Sequence, residues 1–229
     1  AANDGVDPYE IKLTNVVIHF INAILVFLLM AKILQRTQYR EHCRLLAAAV
    51  ALVWLISAVN VSGVLYAVQR MNQLATLFSL AALVLYLRVR CVSAEHTGSG
   101  ARWVALVPGI GLLTILGYAC KENALLIPVF IIILEIFLFP DIPRWLGTRA
   151  GKTTAVALSL VLVVFLLGLL PGSSLVDYSE RTFTLEERVL TQARILWIYI
   201  AQLIVPTTTA IGLYQDGIPI STGLLSPAS

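Results

Sequence analysis

Residues 11–33 read IKLTNVVIHFINAILVFLLMAKI, a stretch in which apolar side chains far outnumber polar ones. A helix needs about 20 mostly apolar residues to cross the hydrocarbon core of a bilayer. We therefore predict that this stretch is a transmembrane helix. The whole chain of 229 residues has the same character, since 59% of it is hydrophobic and only 13% is charged. Its mean hydropathy is +0.86.

This composition excludes several classes of protein. An ordinary soluble domain carries about 25% charged residues, and one soluble core cannot bury so large an apolar excess. A soluble enzyme, a disordered chain and a nucleic-acid-binding protein are excluded together. The three cysteines, at 43, 91 and 120, match neither a disulfide framework nor a metal knuckle. We predict no cofactor and no metal ligands, although a requirement for a divalent metal is not readable from the sequence.

The fold class is therefore all-α, a polytopic transmembrane helix bundle of six to seven spans that forms a single domain over residues 1–229. We expect the polar flanks to extend the shortest apolar segments as helix. The predicted spans lie near residues 11–33, 45–66, 72–88, 103–120, 123–140 and 154–170, followed by a short helix at 188–205.

The charges of the loops predict the orientation. Up to Pro206, ten of the sixteen Lys and Arg residues fall on the side of the first, third and fifth connections, and most of the acidic residues fall on the other side. Cytoplasmic loops of membrane proteins are enriched in Lys and Arg. We expect the basic loops in the cytoplasm and residue 1 outside, in a multi-pass protein of a bacterial inner membrane.

The chain after Pro206 leaves two alternatives open. A full seventh span would place residues 207–229 in the cytoplasm, yet that stretch contains no Lys or Arg. A short helix that enters from the outer side and returns fits equally well.

Polar side chains inside or beside the spans are the candidate functional residues, because they are costly in a membrane. Asn15, His19 and Asn22 follow one stripe of the first helix, which must face the bundle. The stripe either forms hydrogen bonds between helices or lines a substrate cavity.

The outer connections carry the candidate cations. Arg70 follows Gln69 with no acidic neighbour in sequence, which suits either a phosphate or a lipid headgroup at the membrane surface. Lys121 and Glu122 form a tight turn, where they either pair or turn toward a cavity. Farther along, Thr184 to Glu187 is a capping box that begins a helix.

That last helix carries Arg188, Gln192 and Arg194. Arg188 and Gln192 share one face, and Arg194 lies on another. The alternative to a binding role is a solvated amphipathic helix on the outer surface.

Several stretches together resemble a known family, the C-type membrane glycosyltransferases. Within that family the chain is similar to tetratricopeptide-repeat O-mannosyltransferases and bacterial pilin glycosyltransferases. The most specific elements are Gln69-Arg70 and Lys121-Glu122, at two successive outer turns. The other matching residues are Leu13, Thr14, Asn15, His19, Asn22, Trp54, Ser57, Tyr66, Leu74, Phe78, Cys120, Pro128, Glu135, Arg188, Thr191, Gln192, Arg194, Tyr199 and Pro206.

The resemblance implies transfer of a sugar from a polyprenyl-phosphate donor to an acceptor on the outer face. Membrane lipid and this donor would be the partners, with other membrane proteins as a further partner class. Two sets of residues follow from it. The residues expected to bind the lipid phosphate are Arg70, Lys121, Arg188 and Arg194, and those expected to line the cavity are Asn15, His19, Asn22, Gln69, Glu122 and Tyr199.

The chain departs from the family in two respects. Ser57-Ala58 stands where many relatives have His-Pro, and the acidic outer loop with the catalytic base has no counterpart. The catalytic residues therefore remain unassigned, and we expect a segment upstream to carry the base. The alternative hypothesis is a non-catalytic transmembrane subunit of a larger membrane assembly.

Overall fold

The computed structural model describes residues 8–95, 100–139, 152, 184–204 and 219–223. Within these ranges the protein is helical and contains no β-strand, as the sequence predicts. The α-helices are α1 (Pro8–Leu34), α2 (Cys43–Ile56), α3 (Val61–Leu65), α4 (Arg70–Glu95), α5 (Gly100–Cys120), α6 (Ile127–Leu138) and α7 (Leu185–Ile204). Short 3-10 helices cover Arg40–His42, Ala58–Asn60 and Glu122–Leu126. The chain divides into two compact units, and Ser57–Ser62 belongs with α7 in the second.

Helices in the first unit alternate in direction. The backbone of Gly117 in α5 lies beside Ala75 and Phe78 near the start of α4, while Gly109 lies beside Leu85 farther along α4. These pairings make α4 and α5 antiparallel. Contacts near both ends of α4 make α1 and α6 parallel to it.

The alternation gives this bundle two ends. The Arg70 end holds the first turns of α1 and α4 and the end of α5. The Arg90 end holds the last turns of α1, α4 and α6 and the start of α2.

Small residues let the helices approach closely at the Arg70 end. A methyl group built on Gly117 would lie 2.7 Å from the Cβ atom of Ala124 and 3.4 Å from that of Phe78. Ala75 and Ala124 are themselves buried. In a membrane, helix association depends on such close packing because lipid tails are as apolar as the side chains. The turn that follows α5 is therefore held tightly against α4.

The number of membrane spans differs from the prediction. Among the described residues, two helices are long and apolar enough to cross a membrane, namely Tyr9–Leu34 and Arg70–Cys91. A third would be a bent pair, Arg40–Ile56 with Ala58–Leu65. Six to seven spans are thus not supported. The segment expected at 154–170 lies outside the described residues.

Two of the expected spans are shorter or broken for local reasons. The span expected at 45–66 bends by 48°, because Ser57 adopts an extended backbone with ψ of 128° between two helices. The span expected at 123–140 keeps only the twelve residues of α6. At 1.5 Å per residue, α6 covers about 18 Å of a core about 30 Å thick. Its polar flank is helical, as expected, but it forms a 3-10 helix over Glu122–Leu126 and not a further turn of α-helix.

Other boundaries agree with the sequence. The helix expected at 72–88 extends through polar flanks to Arg70 and Glu95, as predicted. The end of α5 at Cys120 also agrees. Pro8 begins α1, where a residue without an amide hydrogen fits the first turn.

In the second unit, the capping box at the start of α7 is confirmed. The Thr184 amide donates to Glu187 Oε2 at 2.8 Å, and the Glu187 amide donates to Thr184 Oγ1 at 3.3 Å. Farther along α7, the Ser221 amide donates to Thr191 Oγ1 at 2.9 Å, and Arg194 donates to the Pro219 carbonyl. Residues 219–221 thus lie beside the first half of α7.

Candidate functional site

The polar stripe of α1 connects it to the neighbouring segments at the Arg70 end. Asn15 is fully buried, and its amide donates to the carbonyls of Val64 and Tyr66 at 3.1 and 2.9 Å. These carbonyls belong to the end of α3 and the residue after it, where no further helical turn supplies donors. The sequence-predicted stripe therefore forms hydrogen bonds between chain segments, the first of its two alternatives.

The other two stripe residues bind in the same manner. Nε2 of His19 lies 3.0 Å from the Leu55 carbonyl near the end of α2. The imidazole stacks on the ring of Trp54, and the two ring centres are 4.6 Å apart. Asn22 donates to the Gln73 carbonyl in α4 at 3.1 Å. Each of these side chains donates to a backbone carbonyl of another segment. A carbonyl without a hydrogen bond is costly in a low-dielectric interior.

Arg70 is the first residue of α4, and α1 fixes its guanidinium. Nε donates to Asn15 Oδ1 at 2.9 Å, and Nη2 donates to the Ile11 carbonyl at 3.1 Å. Both acceptors are neutral. Within the described part of the chain, no carboxylate lies in salt-bridge contact with Arg70.

These contacts leave part of the guanidinium available. A guanidinium has five N–H donors, and two of those of Arg70 bind described residues. The side chain is half-buried. The result is an oriented cation whose charge is not neutralised by the described residues.

Lys121 reaches the same end of the bundle from α5. Its backbone is extended, with φ of −162° and ψ of 145°, and its amide donates to the Gly117 carbonyl at 2.8 Å. The ammonium group forms no salt bridge to a described carboxylate, and the adjacent Glu122 is exposed. The pairing alternative is therefore not observed between these two neighbours. Gln69 precedes Arg70 and accepts a hydrogen bond from Asn72.

The remaining predicted site residues lie on α7, in the second unit. Arg188 and Tyr199 are exposed, and Arg194 is half-buried. Arg194 binds the carbonyl of Pro219, which is neutral like the partners of Arg70.

A second polar cluster, at the Arg90 end, was not predicted from the sequence. Arg90 is only 2% exposed, and its Nε donates to Glu135 Oε1 at 2.7 Å. Tyr86 is fully buried and interacts electrostatically with both groups. The guanidinium carbons of Arg90 and Arg36 each lie 4.3 Å from the centre of the Phe139 ring.

One feature of the sequence does indicate this cluster. Glu135 stands within an otherwise apolar segment, IPVFIIILEIFL, where a carboxylate requires a partner. Its partner was not identifiable because Arg90 is 45 residues distant along the chain.

No group of three or more His, Cys, Asp or Glu side chains in the described ranges is arranged to hold a metal ion. No protein-family model matches the chain, and comparisons with curated proteins and with solved structures find no match either.

Proposed function

We propose that this integral membrane protein binds the phosphate of a polyprenyl-phosphate sugar donor at the Arg70 end. Together with an upstream segment that supplies a carboxylate base, it would transfer the sugar to an acceptor on the outer face. This is the activity that the resemblance to C-type glycosyltransferases implies.

The observation that supports the proposal is the environment of Arg70. Neutral oxygens of Asn15 and Ile11 orient the guanidinium without cancelling its charge. Arg90 differs, because Glu135 lies 2.7 Å from its Nε and neutralises it. An arginine that receives an anionic ligand instead needs a fixed orientation and free N–H groups.

A phosphate is the anion that suits this geometry best. A guanidinium binds two phosphate oxygens through parallel hydrogen bonds, and such charge-assisted bonds are among the strongest in proteins. Arg70 also begins a candidate membrane span, so it lies near the depth of lipid headgroups. During sugar transfer the leaving phosphate gains negative charge, which a nearby cation stabilises.

Lys121 is the second cation in this proposal. The close packing at Gly117 holds the turn after α5 against α4, so Lys121 lies at the same end as Arg70. The proposal for this end rests on Arg70 and Lys121. The other predicted site residues, Arg188, Arg194 and Tyr199, belong to the second unit.

The proposed orientation places the Arg70 end outside. In the same proposal, the chain crosses a bacterial inner membrane six to seven times. Residue 1 lies outside, and the basic loops lie in the cytoplasm. The alternating helices of the first unit support this orientation, because Arg36, Arg40, Arg44 and Arg88 all lie at the Arg90 end.

The proposal is tested by lipid binding to the full chain in nanodiscs. Polyprenyl phosphate is titrated against wild type, Arg70→Gln and Arg88→Gln, with polyprenol as the ligand that lacks the phosphate. Arg88 is the matched control because it is exposed at the opposite end of the same helix. We expect Arg70→Gln to weaken binding of polyprenyl phosphate about tenfold, since hydrogen bonds to charged groups contribute about 1.5–3 kcal/mol.

Equal binding by the two variants, or equal affinity for polyprenol and polyprenyl phosphate, would contradict the proposal. The alternative function, a non-catalytic subunit, would then be favoured. It predicts copurification with other membrane proteins in a fixed ratio.

A further inference from the structure

The Arg90 end carries a cation that the proposed function does not use. Arg36 follows α1, is exposed, and lies with its guanidinium carbon 4.3 Å from the centre of the Phe139 ring. Its Nε donates to Cys91 Sγ at 3.3 Å. A buried aromatic ring and a thiol therefore fix the guanidinium, and both are neutral.

The described residues around Arg36 do not neutralise its charge. Phe139 also contacts Arg90, but Arg90 is neutralised by Glu135 at 2.7 Å. In the described part of the chain, Arg36 has no carboxylate in salt-bridge contact, and its four terminal N–H groups form no hydrogen bond. The surrounding exposed charges are mainly positive, namely Arg40, Arg44 and Arg88 against Glu41.

The position of Arg36 relative to the membrane indicates which anionic group lies near it. Both candidate spans end at this level, one at Leu34 and the other at Cys91. Arg36 lies two residues beyond the first and contacts the last residue of the second. The anionic group found at that depth of a bilayer is the phosphodiester of a phospholipid headgroup.

We propose that Arg36, oriented by Phe139 and Cys91, binds the phosphodiester of an anionic phospholipid at the end of the bundle opposite Arg70. The stack on Phe139 restricts rotation of the guanidinium and leaves its terminal N–H groups for the phosphate oxygens. This site is independent of the Arg70 site. It would fix the bundle's position against the leaflet that its basic loops face.

The experiment counts phospholipids bound to the detergent-solubilised full chain by native mass spectrometry. Phosphatidylglycerol is compared with phosphatidylcholine, whose phosphate is neutralised by its own choline, and with inorganic phosphate. The variants are Arg36→Gln, Phe139→Leu, which keeps the charge but removes the stack, and Arg88→Gln as a control of equal charge.

We expect Arg36→Gln to weaken binding of phosphatidylglycerol about fivefold, the effect of one basic residue near an anionic membrane surface. Phe139→Leu should weaken it by a smaller factor, and Arg88→Gln should have the least effect. Equal losses for Arg36→Gln and Arg88→Gln would overturn the proposal, because they would indicate diffuse attraction. Equal affinity for inorganic phosphate and phosphatidylglycerol would overturn the assignment to a lipid. Thermal melting of each variant identifies losses that arise from unfolding.

Discussion

Arg70 and Arg90 lie near opposite ends of helix α4, and their guanidinium groups have opposite environments. Arg90 is buried and paired with Glu135, whereas Arg70 is half-buried and bound to the neutral oxygens of Asn15 and Ile11. The first arrangement cancels charge inside the bundle, and the second preserves charge at its edge. Among the described residues, therefore, a carboxylate neutralises Arg90 and none neutralises Arg70.

The largest expected loss of stability comes from removing the carboxylate of the Arg90–Glu135 ion pair. Glu135→Leu leaves Arg90 buried without its carboxylate, so we expect the free energy of unfolding to fall by about 3–5 kcal/mol. The measurement is denaturant-induced unfolding in detergent, followed by circular dichroism.

The control for this prediction is the double variant Arg90→Met with Glu135→Leu. Replacing both charges by apolar groups removes the unpaired charge, so the double variant should be more stable than the single one. If the two variants are equally unstable, the ion pair has no special role in the stability of this end.

An intermediate effect is expected from the close packing at the Arg70 end. Gly117→Ala places a methyl group 2.7 Å from the Cβ atom of Ala124, inside van der Waals contact. Such overpacking costs about 1–3 kcal/mol. Gly111→Ala is the matched control, because nothing lies within 4 Å of its added methyl group.

In the same unfolding assay, Gly111→Ala should be neutral or slightly stabilising, since alanine favours a helix over glycine. Equal stability of the two glycine variants would show that the turn holding Lys121 is not closely packed against α4.

The smallest expected effect on stability is that of Arg70→Gln. It removes two hydrogen bonds from a half-buried side chain, and glutamine can restore one of them, so we expect a loss of about 1–2 kcal/mol. The free energy of unfolding of this variant is measured in the same assay as that of Glu135→Leu, so the two losses can be compared directly. If Arg70→Gln destabilises as strongly as Glu135→Leu, Arg70 serves the fold and the phosphate proposal loses its basis.

Much of the local structure was predictable because it depends on neighbours in sequence. The capping box of Thr184 and Glu187 lies within one helical turn, and the structure confirms it. The end of α5 at Cys120 was also predictable from the apolar run. The break at Ser57 was not predicted, because the residues around it remain apolar enough for a continuous span.

The candidate site was predictable only in part. The stripe of Asn15, His19 and Asn22 was expected to face the bundle, since polar groups avoid lipid. Its partners are backbone carbonyls of α2, α4 and the segment between them, which no residue pattern reveals.

The sequence by itself determined that this chain is an apolar, helical membrane protein with polar residues at defined helical positions. Composition and periodicity are sufficient for that, because the bilayer requires long apolar helices. Only the tertiary structure decided which charges are neutralised. Arg70 and Arg90 look alike in sequence, yet Glu135 reaches one of them and not the other because α6 packs beside the end of α4. Coulomb attraction acts on distance in space, and folding sets that distance.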